Sequence, residues 1–160
     1  MIMMLTVLSS CIKDRQTAND LVRGNRIPDF TIYDNDGSTV SGESLRKGVS
    51  CIVFFYTGCP DCQKTFPAVQ RIYDEYSVHG VSFALVSREE TDETISPYWQ
   101  SNGYTMPYSA QSDRRVYELF AKTRVPRVYI CKDGVIKHIF TDIPAPPSYE
   151  DIKTAVEELL

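Results

Sequence analysis

The sequence predicts an α/β domain with a mixed central β-sheet flanked by helices and an N-terminal β-hairpin. Three observations carry that reading. The apolar run Cys51-Ile52-Val53-Phe54-Phe55-Tyr56 is followed by an amphipathic stretch and then by a second apolar run, Val81 to Val86. Strand, helix, strand at that spacing is a βαβ unit, which implies a parallel pair. Two further segments, Phe30 to Val40 and Arg127 to Phe140, place Asp-Gly turns between apolar stretches and read as hairpins.

Each element follows from a local pattern. Phe30 to Tyr33 alternates, Asp34-Asn35-Asp36-Gly37 supplies the turn, and Ser38-Thr39-Val40 returns. From Cys62 the apolar residues Phe66, Val69, Ile72, Tyr73 and Tyr76 fall on one helical face. Thr91 to Asn102 reads as a helix whose bounds Pro97 blurs, and Arg114 to Ala121 as a short one. Lys132-Asp133-Gly134 turns the second hairpin. Ser148 with Asp151 forms a capping box for a last helix carrying Ile152, Val156 and Leu159.

The 160 residues correspond to one domain and a tail, long enough to fold without a disulfide framework or structural metal. With 21 acidic against 17 basic residues and a net charge of -4, a nucleic-acid or anionic-membrane surface is excluded as the main business. The five cysteines therefore need another explanation.

Residues 1–10 (MIMMLTVLSS) are uncharged and mostly apolar, and they read as the remnant of a secretory signal peptide. Leu8-Ser9-Ser10-Cys11 resembles the lipobox of bacterial lipoproteins, which implies that Cys11 becomes the lipidated N-terminus. Residues 11–25 would then form the lipidated Cys and a polar tether, and residues 26–160 the folded domain. By that resemblance the chain contacts a membrane only through its anchor and works in the cell envelope, facing the periplasm.

The chemistry concentrates in Cys59-Pro60-Asp61-Cys62, where a buried strand ends and an amphipathic helix begins. That spacing on a first helical turn lets the sulfurs join without moving the backbone. Helix N-terminal N–H groups favour a thiolate on Cys59, making it the nucleophile; Cys62, deeper in the helix, would resolve the mixed disulfide. Pro60 suits the first helical position, where its missing N–H costs nothing. A zinc site would need two more ligands from Cys51, Cys131, His79 and His138, none of them in a ligand-spaced cluster, so no metal and no cofactor is expected. Cys51 and Cys131 lie on strands that would be antiparallel neighbours, where they could face each other. Free buried thiols are the expectation there.

Ile27-Pro28-Asp29-Phe30, the Asp36-Gly37 turn, Phe54 through Cys62, and Arg124-Val125-Pro126 together resemble the thioredoxin-like redoxins of the TlpA and ResA type, over about residues 24–160. The resemblance implies a thioredoxin-like fold and a membrane-anchored thiol-disulfide oxidoreductase that reduces or isomerises disulfides of extracytoplasmic proteins. It also implies a membrane redox donor for recycling. Pro126 would be cis and the Val125 backbone would pair with an incoming substrate strand, with Gly58 and Pro60 lining the same face. Pro67 matches a helix proline of the family.

Three departures stand out. Gly58 replaces the Trp often found before the first Cys, Val53 the buried Asp of thioredoxin, and Thr65 the Glu of ResA-like members. The usual internal base is thus missing, and Asp61 is the only carboxylate in the motif. With no His between the cysteines and Asp61 opposing the thiolate, a reductant or isomerase is expected rather than a strong oxidant. Two alternatives stay open. A peroxiredoxin-like thiol peroxidase would need Thr where Tyr56 stands, and a Sco-like copper chaperone would need one more residue between the cysteines and a His such as His138. Tyr98, Trp99, Tyr104 and Tyr108 are expected to pack, and Arg114, Arg115, Arg124 and Arg127 to form a solvated charged face.

Overall fold

The computed structural model describes residues 20–160. An antiparallel pair, β1 (Thr31–Tyr33) and β2 (Thr39–Ser41), leads through the short helix α1 (Gly42–Leu45) to β3 (Val49–Phe55). Then come α2 (Pro60–Tyr76), β4 (Ser82–Ser87), α3 (Asp92–Asn102), α4 (Arg115–Glu118), β5 (Arg127–Lys132), β6 (Val135–Phe140) and α5 (Tyr149–Glu157). The main sheet runs β4-β3-β5-β6. Its β3–β4 pair is parallel, while β3–β5 and β5–β6 are antiparallel. This is the mixed sheet and the N-terminal strand pair that the patterns predict.

Every residue of β3 is buried, so it can only be an interior strand with both faces covered. Its side chains alternate between two apolar layers. Phe55 meets Phe66 of α2 and Trp99 of α3, whereas Phe54 meets Tyr117 of α4, Phe120 and Tyr129. Truncating either phenylalanine to alanine would cost about 3–5 kcal/mol, because rings packed this closely cannot refill the cavity. Trp99 and Tyr108 are buried, as expected of packing residues, and the Trp99 indole donates to the Met106 carbonyl at 2.9 Å.

Helix α1 carries no long periodicity and escaped the pattern. Ser41 and Ser44 cap it reciprocally. Gly42 opens it because a Cβ there would lie 2.1 Å from the Pro28 carbonyl oxygen. Helix α4 stops at Glu118, short of the Ala121 expected.

The tether expected to reach residue 25 is corrected for its last residues. Leu21 N–H donates to Phe120 O at 2.8 Å, Gly24 N–H to Ile136 O at 2.8 Å, and Asp20 forms a buried ion pair with Arg127 at 2.6 Å. Backbone groups of residues 24–27 also pair with the start of the outer edge of β6, at Gly134 and Ile136, which satisfies that part of an otherwise open edge. The signal remnant, Cys11 and residues 12–19 lie outside the described residues.

Register decides the fate of the two remaining cysteines. Cys51 stands opposite Ile130, and Cys131 opposite Ser50. Residues offset by one position project from opposite faces of a sheet, so these thiols do not face each other. Both are free and buried.

Candidate active site

The site forms where β3 and β4 end side by side and α2 begins. Tyr56 to Cys59 makes the turn, with the Cys59 N–H donating to the Tyr56 carbonyl at 3.1 Å. Cys59 is the N-cap of α2, in extended conformation, and Pro60 follows at the helix start. Gly58 and Pro60 are exposed on either side of a half-buried Cys59. Cys62, in the first turn, is fully buried. Both are free thiols, in hydrogen-bonding contact with each other.

The loop before β5 faces this pair. The Cys59 thiol donates to the Val125 carbonyl at 3.6 Å, and the Val125–Pro126 peptide is cis, the geometry the resemblance implies. Arg124, just before it, adopts a left-handed backbone (φ 74°); its carbonyl accepts from the Tyr117 hydroxyl at 2.8 Å. A second cis peptide joins Ile143 and Pro144.

Burial pushes the Cys62 thiol well above the ordinary range. Contact with Cys59 raises it further, while a hydrogen bond from the Tyr56 backbone and the Arg88 charge act in the opposite direction. At neutral pH Cys62 is therefore protonated and must lose that proton before it can attack a disulfide.

Sequence reasoning missed a buried carboxylate beside the turn. Glu90 accepts from the Thr57 N–H at 2.7 Å and from the Thr57 hydroxyl, while Gln63 Nε2 donates to the Thr57 carbonyl at 2.9 Å. All the polar groups of Thr57, two residues before Cys59, are thereby held. Neither Val53 nor Thr65 can supply a carboxylate; the loop after β4 brings one to the turn from a different part of the chain. The available signal was Ser87-Arg88-Glu89-Glu90 at the end of a parallel strand, where open α/β sheets place their sites.

The arginines near the proline loop are each engaged by a carboxylate: Arg114 by Glu89, Arg115 by Asp113, Arg124 by Asp142 and Arg127 by Asp20. His138 Nε2 lies 3.0 Å from Glu158. Among the described residues no three His, Cys, Asp or Glu side chains gather as a metal-binding group, and no helix is long and apolar enough to cross a membrane.

A Cys-x-x-Cys opening this helix, faced by a cis-proline loop across this sheet, defines the class of thioredoxin-like protein thiol-disulfide oxidoreductases. The chain belongs to the AhpC/TSA family, whose model matches residues 23–139, and within it to the TlpA/ResA-type redoxins.

Among its relatives is the thiol-disulfide oxidoreductase ResA of Halalkalibacterium halodurans, 25% identical over 138 residues, which are 85% of this chain and 76% of that protein. The sporulation thiol-disulfide oxidoreductase A of Bacillus subtilis is 28% identical over 128 residues, 75% of this chain and 76% of that protein. Against ResA of Bacillus anthracis the match is 24% over 115 residues and spans only 66% of the relative. Solved structures share the fold. A thioredoxin-family thiol:disulfide interchange protein of Chlorobium tepidum superposes with TM-score 0.72 at 20% identity, covering 86% of this chain and 97% of that one. StoA of Bacillus subtilis gives 0.69 at 19%, covering 81% and 96%.

Proposed function

We propose that this chain reduces or isomerises disulfides of extracytoplasmic proteins through a Cys59/Cys62 cycle, held at a bacterial membrane by a lipid on Cys11. The observation that carries the catalytic part is the asymmetry of the pair: Cys59 is accessible at the helix start, and Cys62 lies buried against it. In this reading Cys59 meets the protein disulfide and Cys62 releases it.

In the first step the Cys59 thiolate attacks one substrate sulfur. A mixed disulfide forms, and the departing substrate sulfur takes a proton from solvent. Cys62 then gives up its proton and attacks Cys59 Sγ. The Cys59–Cys62 bond closes and the second substrate thiolate leaves and is protonated. Two electrons and two protons have reached the substrate, and a membrane redox donor returns the oxidised pair to the dithiol. Exposed Gly58 and Pro60 admit the substrate, while the Val125 backbone, beside Pro126, offers main-chain pairing to an incoming strand.

Insulin reduction with dithiothreitol tests the catalysis: the parent should accelerate it and Cys59→Ser should not. Equal rates would overturn the reading. A reduction potential near the DsbA value of about -120 mV would overturn the reductant direction. The mass of the mature N-terminus, with or without diacylglycerol on Cys11, tests the anchor.

A further inference from the structure

Arg88 is the first residue after β4, at the sheet end that holds the cysteines. Its N–H donates to the Phe55 carbonyl at 2.7 Å, which pins the end of β4 to the point where the active-site turn begins. Its guanidinium carbon stands 5.2 Å from the centre of the Tyr56 ring, within cation–π range. That ring also fills the space before Gly58, where an added Cβ would come within 2.9 Å of it. The Tyr56 main chain hydrogen-bonds both cysteines. Arg88 and the dithiol therefore share one neighbour.

Glu89 does not neutralise Arg88 by itself, because a second arginine shares it. Arg114 grips Glu89 through Nε at 2.8 Å and Nη2 at 2.5 Å, and Arg88 reaches the same carboxylate through a single contact at 3.2 Å. Two guanidinium groups therefore divide one carboxylate, and Arg88 holds the weaker share. Arg88 Nε is buried and finds no hydrogen-bond partner among the described residues. Glu90, though close in sequence, directs its carboxylate to Thr57. The groups acting on Cys62 are the Tyr56 main chain, Cys59 at the N-cap of its helix, Tyr98 on α3, and Arg88. Asp61, the adjacent carboxylate on α2, is paired with Lys64 at 3.4 Å.

We propose that Arg88 is a positioning residue for the second half of the cycle: its charge stabilises the Cys62 thiolate as it forms, in a chain where Val53 and Thr65 provide no internal carboxylate. In the mixed disulfide, Cys62 passes its proton to water. The thiolate attacks Cys59 Sγ, the Cys59–substrate bond breaks, the Cys59–Cys62 bond forms, and the substrate sulfur leaves as a thiolate that solvent protonates. A cation held over the Tyr56 ring, whose main chain hydrogen-bonds both cysteines, favours the charged intermediate without accepting the proton. The proposal rests on the dithiol cycle described above.

The test uses the reduced full chain and 4,4′-dithiodipyridine, an uncharged disulfide that Arg88 cannot steer. Thiopyridone is released first in a bimolecular phase, attack by Cys59, and then in a unimolecular phase, closure by Cys62. Arg88→Gln should slow the second phase roughly tenfold at pH 7 to 8 and shift its pH profile upward by about one unit. The first phase should change less than about twofold, and Arg88→Lys should restore most of the second. Glu89→Gln, which removes the competing carboxylate and leaves Arg88 in place, should speed the second phase; this arm decides the matter if Arg88→Gln does not fold. An unchanged second phase in Arg88→Gln, equal slowing in Arg88→Lys, or no acceleration in Glu89→Gln overturns the proposal alone. A parent with no second phase overturns the dithiol cycle and the proposal with it.

Discussion

The Cys59 thiol donates to the main-chain carbonyl of Val125, 66 residues further along the chain, at 3.6 Å. The contact holds the proposed nucleophile against the loop that would receive a substrate strand, while Cys62 is buried. Cys62→Ser should therefore accumulate a mixed disulfide on Cys59 when offered a disulfide-bonded peptide, visible as an adduct in intact mass. Cys59→Ser should show no adduct. An adduct of equal yield on Cys62 in the latter variant would reverse the assigned roles.

Glu90 holds the turn from behind, so its removal should cost stability as well as rate. Glu90→Ala leaves the Thr57 N–H and hydroxyl buried without their acceptor, a loss of about 2–4 kcal/mol. Glu90→Gln keeps an oxygen for one of them and should lose less. Urea unfolding of the two variants measures the difference, and parent-like stability of Glu90→Ala would show that the network is not structural.

The buried thiols set an alkaline limit. Burial is the first cause holding Cys51, Cys62 and Cys131 above the ordinary thiol value of 9.0, with Cys131 pushed up to about 12. A group whose value is raised by folding stabilises the native state fully below its unfolded value and loses that contribution as pH rises through the folded one. Melting temperature should accordingly fall between about pH 9 and pH 12. Cys131→Ala should make that fall shallower, even though the cavity it leaves lowers stability at neutral pH. A variant with the parent's slope would remove Cys131 from the account.

Asp34 works against stability at neutral pH. Burial, and then the neighbouring Asp36, raise its carboxyl from 3.8 to about 6. Its favourable contribution is present below pH 3.8 and is lost as pH rises through 6, when the charge must form in a half-buried turn. Asp34→Asn should raise the melting temperature at pH 7 and leave it nearly unchanged at pH 3.5. Destabilisation at pH 7 would show that the charged carboxylate is needed there.

The dithiol was legible because its chemistry is local. Two cysteines three positions apart, at the junction of an apolar run and a helical face, are enough to propose a nucleophile and a resolving thiol before any fold is known. The hairpins, the parallel pair and the final capped helix were equally readable, since turn residues and side-chain periodicity act over a few residues. Helix α1 was not, because its start depends on Gly42 meeting the carbonyl of a residue well before it.

Other features depend on distance and register, which a single chain pattern does not contain. Tertiary structure decided that residues 20–25 dock rather than tether, through the buried Asp20–Arg127 pair and hydrogen bonds to Phe120 and Ile136. It separated Cys51 from Cys131 by one step of register, which places them on opposite faces of the sheet. It also brought Glu90 to Thr57 and Arg88 to Tyr56, supplying a buried carboxylate and a cation that the motif lacks. The sequence by itself was enough to propose which atoms exchange electrons, Sγ of Cys59 and of Cys62, because sulfur chemistry resides in the residues. Their electrostatic setting comes from residues that only the folded sheet makes neighbours, because burial and through-space charge depend on three-dimensional position.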